Sequence, residues 1–430
     1  MPRVLPLNRH QWFDPWRGAR GTALRNLVRE FAVAIDIHEL TNGLRARRRK
    51  AVDQEHHAAA IEIVVANIAH AVLMPPETGW LAVLTGNGTS GFTRYDNPAL
   101  GKPFRSLLNR LGDLGHMTLR LPRKRGEASS LAPTGSFSAL VRDAGISLAD
   151  FGRRDGEEVI LLARTSVEWR HGLRFRYRDK AEYEETAETI AMRRDVRALN
   201  GFLAGANITF EDGGGKPVDV HERRMRRHFV IAGSDPLPQR FDRGGRLYGG
   251  FWQNLKRSRR AGIRIDGERV ATLDYSSMFP RLALAAAGAQ PPQGDLYAIP
   301  GLTDHRRAVK LATNTLLFDT SLRRPTWPKP DDAADEMPEG WTVARFRQAL
   351  LARHPGLSAS LGVGLGHRLM HTESRIMVGV LLALMDEDIV ALPLHDGLLV
   401  KMSVAREAGM MMAAIAEMIT SSTIPVTISG

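Results

Sequence analysis

The sequence predicts an α+β fold of two or three domains, for three reasons. The 430 residues are 43% hydrophobic, which is enough for more than one core. Segments with helical periodicity alternate with strand-like segments, and no repeat of fixed period appears. Composition also changes twice along the chain. We therefore predict three blocks, residues 1–165, 166–245 and 246–430.

The charge of the chain predicts a polyanionic partner. Lys and Arg number 59 against 47 Asp and Glu, which gives a net charge of +12 and a pI near 10.3. Most of the basic residues are Arg, whose guanidinium binds phosphate through two hydrogen bonds. Nucleic acid is the simplest such partner. The alternative is an Arg-rich composition without an electrostatic purpose.

Three further features of the sequence indicate in which cellular compartment the protein is expected. Cysteine is absent, which excludes disulfides, thiol nucleophiles, iron–sulfur clusters and Cys-containing zinc sites. The richest apolar run, Ile376 to Leu384, is too short for a membrane helix. The Arg-rich segment from Met1 to Arg29 has no apolar signal core. We expect a soluble protein without membrane contact in a reducing compartment, the cytoplasm, where it would associate with the nucleoid.

The first block is expected to be an N-terminal α/β domain. Ala58 to Leu73 has the pattern of an apolar helix, Asn97 to Leu114 that of an amphipathic helix, and His116 to Leu121 that of a strand. The basic segment 122–126 then predicts a hairpin tip. Helix, strand and basic turn in this order resemble a winged-helix nucleic-acid-binding module. The alternative is an ordinary small α+β domain.

The second block is expected to be a helical, thumb-like linking region. Its main feature is a long helical pattern from Glu182 to Leu203, followed by glycine-rich turns at 213–215 and 244–245. A basic run lies between these turns and would either hold phosphates or form a solvated face. The run comprises Arg223, Arg224, Arg226 and Arg227.

The third block is expected to carry the chemistry, on alternating strands and helices. The predicted strands are Arg269 to Tyr275, a hairpin within Ile389 to Met402, and Thr423 to Ser429. The predicted helices are Met278 to Ala287, Asp304 to Phe318, Val343 to Arg353, Glu373 to Met385 and Ala405 to Thr420. A Pro- and acid-rich loop is predicted from Ser321 to Gly340.

Two acids in this block are candidate metal ligands. Asp274 ends an apolar strand, and Asp396 lies between two apolar runs at an Asp-Gly pair that predicts a hairpin turn. Taken singly, Asp274 is explained as a helix cap and Asp396 as a turn residue. Together they project from two strands of one sheet, as a pair of Mg²⁺ ions bridging phosphates would require.

A cationic helix separates the two acids in sequence. It carries Arg306, Lys310, Asn314 and Phe318 at a spacing of four, so these residues share one broad face. Such a face presents two cations to a triphosphate, then an amide and a ring to the sugar and base. The alternative is an amphipathic surface helix with Phe318 in the core.

The order of these motifs resembles the palm and fingers of family A DNA polymerases over residues 244–430. Asp274-Tyr-Ser-Ser277 is similar to the first motif, the cationic helix to the nucleotide-binding helix, and His395-Asp396 to the third motif. Gly245-Arg246-Leu247 resembles the segment whose Arg follows the primer terminus. Asp295-x-Tyr297 falls where the family has an acid and a ring.

The chain also departs from the family A pattern. Gly397 stands where Glu commonly follows the His-Asp pair, and Phe318-Asp319 stands where Tyr-Gly is common. The segment Asp274-Tyr-Ser-Ser-Met-Phe-Pro280 also resembles the first motif of family B polymerases. That resemblance implies that Phe279 is the steric gate against a ribose 2′-OH. Because only 36 residues separate Asp274 from Lys310, the fingers are expected to be reduced.

The resemblance implies a right-hand polymerase-like palm with reduced fingers and thumb, and a DNA polymerase without a proofreading exonuclease. Asp274, Asp396 and the backbone carbonyl of Tyr275 would hold two Mg²⁺ ions, or Mn²⁺, beside His395. Tyr275, Phe279 and the cationic helix would contact the dNTP. DNA template–primer phosphates would be bound by an Arg set comprising Arg246, Arg257, Arg259, Arg260 and Arg264.

Two other hypotheses remain. One is a primase or a single-subunit RNA polymerase on the same palm, against which Phe279 argues. The other is a DNA-binding replication initiator with a non-catalytic palm, against which the presence of both acids and both triphosphate cations argues.

The small size of the chain suggests that it comes from a mobile element. Protein partners are not predicted, and the hint of a nuclease in Asp36-Ile-His-Glu39 is better explained as a helix surface.

Overall fold

Helices and strands form a mixed α+β fold with several sheets. The structure is a computed structural model that describes residues 11–45, 47–85, 93–122, 127–170, 173–211, 214–231, 240–328 and 336–430. The chain divides into two units, Met1–Glu158 (unit 1) and Val159–Gly430 (unit 2). The boundaries at 165 and 245 stay predictions.

Unit 1 combines short strands with four described helices. The strands are β1 (Gln11–Trp12), β2 (Arg17–Ala19), β3 (Leu81–Val83), β4 (Met117–Arg120), β5 (Ser129–Pro133) and β6 (Phe151–Arg153). The helices are α1 (Thr22–Thr41), α2 (Ala51–Leu73), α3 (Phe104–Asp113) and α4 (Gly135–Asp143). One sheet has the order β1-β3-β5-β4, in which only β1 and β3 run parallel, and β2 pairs antiparallel with β6.

Helix α2 forms the centre of the unit 1 core. It begins at Ala51 rather than at the predicted Ala58, because polar residues with good helix propensity precede its apolar part. From Ile61 to Ala71 it is apolar on nearly all sides and almost fully buried. Among the described helices it is the one long and apolar enough to cross a membrane by length and composition, and 72% of that window is buried inside the protein.

The segment predicted to resemble a winged helix contains a helix followed by a hairpin. Pro98 opens a short 3₁₀ turn and Pro103 precedes α3, so the helix begins at Phe104 rather than at Asn97. Its apolar face is buried, and β4 pairs antiparallel with β5. The tip predicted at 122–126 lies largely outside the described residues.

The acids of Asp36-Ile-His-Glu39 belong to an ion-pair network rather than to a free helix surface. Asp36, Glu39 and His57 bring ligand-type atoms within 4.8 Å of one another. The fully buried Glu39 carboxylate, however, is paired with Arg45 at 3.3 Å, with Arg49 at 2.5 Å and with Arg110. These three guanidinium groups already compensate the acids, which disfavours a metal cation in the same place.

His57 makes the stability of the protein sensitive to acid. Its ring is only 9% exposed, and burial, assisted by the Arg49 charge, lowers its pKa to about 4. The unfolded chain takes up this proton near pH 6.5 and the folded chain does not, so stability is present above 6.5 and falls as the pH drops towards 4.

We expect His57→Leu to remove this acid sensitivity. Between pH 7.5 and 4.5 the variant should lose roughly 2.5 kcal/mol less unfolding free energy than the wild type, as urea titrations at both pH values would measure. The matched control is His56→Leu, which alters the adjacent, less buried ring. Equal losses in wild type and His57→Leu would contradict the prediction.

Unit 2 contains the remaining elements. Its strands are β7 (Ile160–Arg170), β8 (Leu173–Lys180), β9 (Ile208–Phe210), β10 (Met225–Ile231), β11 (Gly244–Gly249), β12 (Ile263–Ile265), β13 (Glu268–Tyr275), β14 (Ala391–Pro393), β15 (Gly397–Lys401) and β16 (Val426–Ser429). Its helices are α5 (Ala187–Gly205), α6 (Phe251–Asn254), α7 (Arg257–Arg260), α8 (Met278–Ala286), α9 (Arg306–Phe318), α10 (Val343–Arg353), α11 (Gly366–Asp386) and α12 (Ala405–Thr420).

Strand β13 lies at the centre of the larger sheet of unit 2. The sheet has the order β14-β15-β13-β12-β9, and β16 also pairs with β13. Every pairing in it is antiparallel. Residues of β13 alternate between buried and less buried, so the strand packs one face on the core. A second sheet has the order β11-β10-β7-β8.

The basic run of the second block differs from both predictions made for it. Arg223 and Arg227 are buried, so the run is neither a solvated face nor a phosphate clamp at these two residues. Arg223 donates to the carbonyls of Leu203 and Ala206 at the end of α5. Alternate residues of β10 face inwards, and a buried Arg is tolerated where carbonyl oxygens satisfy its donors.

Candidate active site

Strand pairing brings the two candidate acids together. Asp274, near the end of β13, lies opposite Gly397, the first residue of β15. The backbone N–H of the next residue, Tyr275, donates to the carbonyl of Asp396 at 3.0 Å. Both Asp side chains are half-buried. The two carboxylates therefore project from neighbouring points of one sheet, as the spacing of the motifs predicted.

The hairpin that carries Asp396 has its tip at His395 and Asp396, as the Asp-Gly pair predicted. Leu394 N–H donates to the Gly397 carbonyl at 2.7 Å, so His395 and Asp396 are the central residues of a two-residue turn. His395 has φ +69°, which such turns require at their first central position and which usually favours Gly or Asn. Trp252, which is not part of the hairpin, donates from Nε1–H to the Pro393 carbonyl at 2.9 Å. This hydrogen bond restrains the end of β14.

The departure at Gly397 has a steric explanation. A Cβ at this position would lie 2.1 Å from Oδ1 of Asp274 and 2.4 Å from the backbone carbonyl oxygen of Leu273. A side chain here would displace the Asp274 carboxylate or the strand behind it. The Glu that commonly follows the His-Asp pair in family A polymerases is therefore incompatible with this arrangement.

The electrostatics of the site favour a bound cation. Burial raises the pKa of the Asp274 carboxyl above its ordinary value, and the nearby Asp396 raises it further. Three positive charges lower the pKa of Asp274, those of Arg257, Lys310 and Arg260. These side chains therefore lie close enough to interact with the Asp274 carboxylate. A partly buried carboxylate with a second carboxylate close by is a donor set that suits Mg²⁺, which prefers carboxylate oxygens.

The two candidate cations of α9, Arg306 and Lys310, have different environments. In the described part of the chain, the exposed Lys310 ammonium makes no hydrogen bond or ion pair. Arg306, by contrast, binds Asp295 through Nε at 2.5 Å and Nη2 at 3.2 Å. Its guanidinium also lies over the Tyr297 ring at 5.4 Å. One turn beyond Lys310, Asn314 Oδ1 has no partner among the described residues.

Asp295 connects the two ends of the candidate nucleotide site. Its Oδ1 accepts a hydrogen bond from Ser277 Oγ at 2.9 Å, at the start of α8, while the same carboxylate holds Arg306 of α9. Arg281 is almost fully buried and anchors the intervening loop by donating to the carbonyl of Gly294 at 2.7 Å. The sequence motifs included Asp295, Ser277 and Arg306, but they did not predict that the three residues contact one another.

The candidate steric gate lies in an aromatic cluster. The Phe279 ring is 5.9 Å from the Phe318 ring, and the Arg246 guanidinium lies 5.5 Å from the centre of Phe279. Phe318 in turn packs edge-on against His367 at 5.1 Å. The rings of Phe279 and Phe318, which were predicted from separate motifs, are therefore in contact.

Arg246 also forms a bidentate ion pair with Glu373, a residue that the sequence analysis did not identify.

Two predicted site residues, Tyr275 and His395, make contacts that the sequence did not indicate. The Tyr275 ring is buried, and its hydroxyl donates to the Met412 carbonyl at 2.7 Å, so only the backbone of Tyr275 is available to the site. The His395 ring packs edge-on against Tyr248 at 5.0 Å. Burial and the Arg246 charge lower the pKa of His395, which keeps its ring neutral near pH 7.

The predicted DNA-binding Arg set divides into two groups. Arg246, Arg257 and Arg260 interact electrostatically with Asp274 or Asp396 and so belong to the site. Arg264 instead pairs with Glu211 at 2.8 Å. Arg259 donates to the Lys216 carbonyl at 2.7 Å. The latter two contacts lie beside β9, at the opposite edge of the sheet from the hairpin.

Comparison with known proteins gives no independent assignment, because no protein-family model matches the chain and no curated protein matches its sequence. Any functional assignment therefore depends on the residues and geometry of the site itself.

We expect Gly397→Ala to destabilise the protein by about 1–3 kcal/mol, because the added methyl overlaps a carboxylate and a backbone carbonyl. The matched control is Gly201→Ala in α5, where an added Cβ meets nothing within 4 Å and should be neutral or stabilise by up to about 1 kcal/mol. Urea unfolding measures both. Equal stability of the two variants would contradict the steric role of Gly397.

Proposed function

We propose that this protein is a template-directed DNA polymerase that adds dNTPs to a primer 3′-OH. The observation that carries the proposal is the adjacency of Asp274, on β13, and Asp396, in the turn before β15, with Lys310 of α9 in electrostatic range of Asp274. Nucleotidyl transfer needs anionic ligands for metal ions and cations for the triphosphate in one place. A helix cap or a turn residue alone needs neither.

In this proposal the larger sheet of unit 2 serves as the palm and α9 as reduced fingers. Asp274, Asp396 and the Tyr275 carbonyl would hold Mg²⁺, which when bound lowers the pKa of the primer hydroxyl and neutralises charge on the leaving pyrophosphate. Lys310 would bind the triphosphate, and Arg257 and Arg260 would neutralise phosphates near Asp274. Base pairing with the template would supply sequence selection.

Deoxynucleotides are the proposed substrates because of Phe279. Its ring is held between Phe318 and Arg246, so it is not free to turn away from a sugar bound beside it. A rigid ring next to the sugar would exclude a 2′-OH by contact. This favours a DNA polymerase over a primase or RNA polymerase on the same framework.

We expect Asp274→Asn and Asp396→Asn each to lower primer extension by roughly a thousandfold or more, because each removes a metal-binding charge worth several kcal/mol. The assay is extension of a labelled primer on a DNA template with Mg²⁺ and either dNTPs or NTPs. The matched control is Asp388→Asn, which alters an exposed acid just before β14 and should retain wild-type extension.

Extension that survives either active-site substitution would refute the catalytic assignment. Extension with NTPs in preference to dNTPs would support the primase or RNA polymerase hypothesis. Absence of extension with either set, together with salt-sensitive DNA binding, would support a replication initiator.

We further propose that unit 1 binds duplex DNA as a winged-helix module. Helix α3 followed by the β4–β5 hairpin supports this, with Arg105 and Asn109 one turn apart on the exposed face of α3.

We expect the double variant Arg105→Ala/Asn109→Ala to weaken duplex binding about tenfold or more and to reduce the salt dependence by about one phosphate contact. Fluorescence anisotropy at several salt concentrations measures both quantities. Arg142→Ala, at an exposed position of α4, is the control. Unchanged affinity and salt slope in the double variant would refute this role of α3.

A further inference from the structure

Glu373 is a carboxylate for which the proposed reaction has no direct use. It lies on α11 and its side chain is 1% exposed, yet it is bound on both oxygens by Arg246 of β11. Nε donates to Oε1 at 3.0 Å and Nη2 donates to Oε2 at 2.7 Å. Because Arg246 occupies both oxygens, Glu373 is not a further ligand for a metal ion at Asp396.

The backbone around this ion pair is held firmly. Gly245, next to Arg246, has φ +83°, and a Cβ there would lie 2.7 Å from Ser374 Oγ, next to Glu373. The buried Arg227 donates to the Gly245 carbonyl at 3.0 Å and to Ser374 Oγ at 3.1 Å. Strand β11 and helix α11 are therefore fixed to each other at the two residues that flank the pair.

The other face of Arg246 lies against the candidate gate. Its guanidinium is 5.5 Å from the centre of the Phe279 ring, and Phe318 packs on the same ring at 5.9 Å. Phe318 is itself confined, because a Cβ on Gly366 would lie 2.4 Å from its ring. A cation over an aromatic face is an attractive contact that fixes the ring orientation.

We propose that Glu373 is a positioning residue for sugar selection, which it controls by holding Arg246 against the Phe279 ring. The inference rests on the proposed polymerase function and deepens it. Glu373 does not touch the nucleotide. Without its carboxylate, Arg246 is drawn towards Asp396, with which it already interacts electrostatically. Phe279 then loses its contact with Arg246, and its ring can move to accommodate a 2′-OH.

The test is a double-mutant cycle on nucleotide selectivity. The kcat/KM ratio for dCTP against CTP is measured in primer extension for the wild type, Glu373→Ala, Phe279→Ala and the double variant. We expect Glu373→Ala to lower this ratio about tenfold or more, through faster use of CTP. In the double variant the ratio should equal that of Phe279→Ala, because both changes act through the same ring.

Two further variants keep the test informative if Glu373→Ala folds poorly. Glu373→Gln retains one acceptor for Arg246 and should lie between wild type and Glu373→Ala, whereas Arg246→Ala should reproduce the loss of selectivity. The matched control is Glu185→Gln, which weakens another bidentate Arg–carboxylate pair, with Arg193 on α5, and should leave the ratio unchanged.

The outcomes separate the inference from the function on which it rests. A wild type that extends primers, with an unchanged dCTP to CTP ratio in Glu373→Ala and Glu373→Gln, would overturn the inference and leave the polymerase assignment standing. Equal losses of kcat/KM for both nucleotides would also overturn it, because they indicate a merely structural role. A wild type that extends no primer would overturn both.

Discussion

The pairing of β13 with β15 is the constraint on which the candidate site depends. It sets Asp274 opposite Gly397, and so places Asp396 beside the end of β13. Because side chains alternate along a strand, a slip of one residue would turn Asp274 to the other face of the sheet. Gly397 reinforces this register, since only a residue without a side chain leaves room for the Asp274 carboxylate.

Cations lie close to the acids of the site and favour their ionised forms at Asp274 and Glu373. Burial and then Asp396 raise the pKa of Glu373 to about 7, against the opposing effect of Arg246. Arg246 thus favours the ionised form of this carboxylate, and the same guanidinium lies over the Phe279 ring. Arg246 therefore contacts both a buried acid, Glu373, and the ring of Phe279, which lines the proposed nucleotide site.

Local sequence patterns were sufficient to predict most elements from β13 onwards, but not strands β7 to β11, because the second block was expected to be helical. The bounds of α10 and α12 are those predicted, and β13 begins only one residue earlier than expected. Helix α10 is well defined by a local feature, since Thr342 caps its first turn. By contrast, α11 begins at Gly366, seven residues before the predicted start, because its first two turns are polar and carry little apolar periodicity.

Contacts between distant residues were not predictable in the same way. The Arg246–Glu373 pair joins residues that are 127 positions apart, and nothing in the sequence near either residue indicates the other. Arg223 and Arg227 look like a surface run, yet buried carbonyl and hydroxyl oxygens accept their hydrogen bonds. The hairpin tip at His395 and Asp396 was predicted, but the small size of Gly397 also leaves room for Asp274, which the Asp-Gly pair alone does not indicate.

The two candidate triphosphate cations, Arg306 and Lys310, are not equivalent, and their difference suggests an order of events in the proposed reaction. Lys310 is exposed and makes no ion pair within the described residues, so in the proposed function an incoming triphosphate would bind it without breaking a contact. Arg306 is already bound by Asp295, which also accepts from Ser277 beside the first motif. A phosphate can replace that carboxylate on Arg306, because both accept two parallel hydrogen bonds from one guanidinium. Such an exchange would release Asp295 from α9 once the nucleotide is held, and so would couple substrate binding to the loop that follows α8.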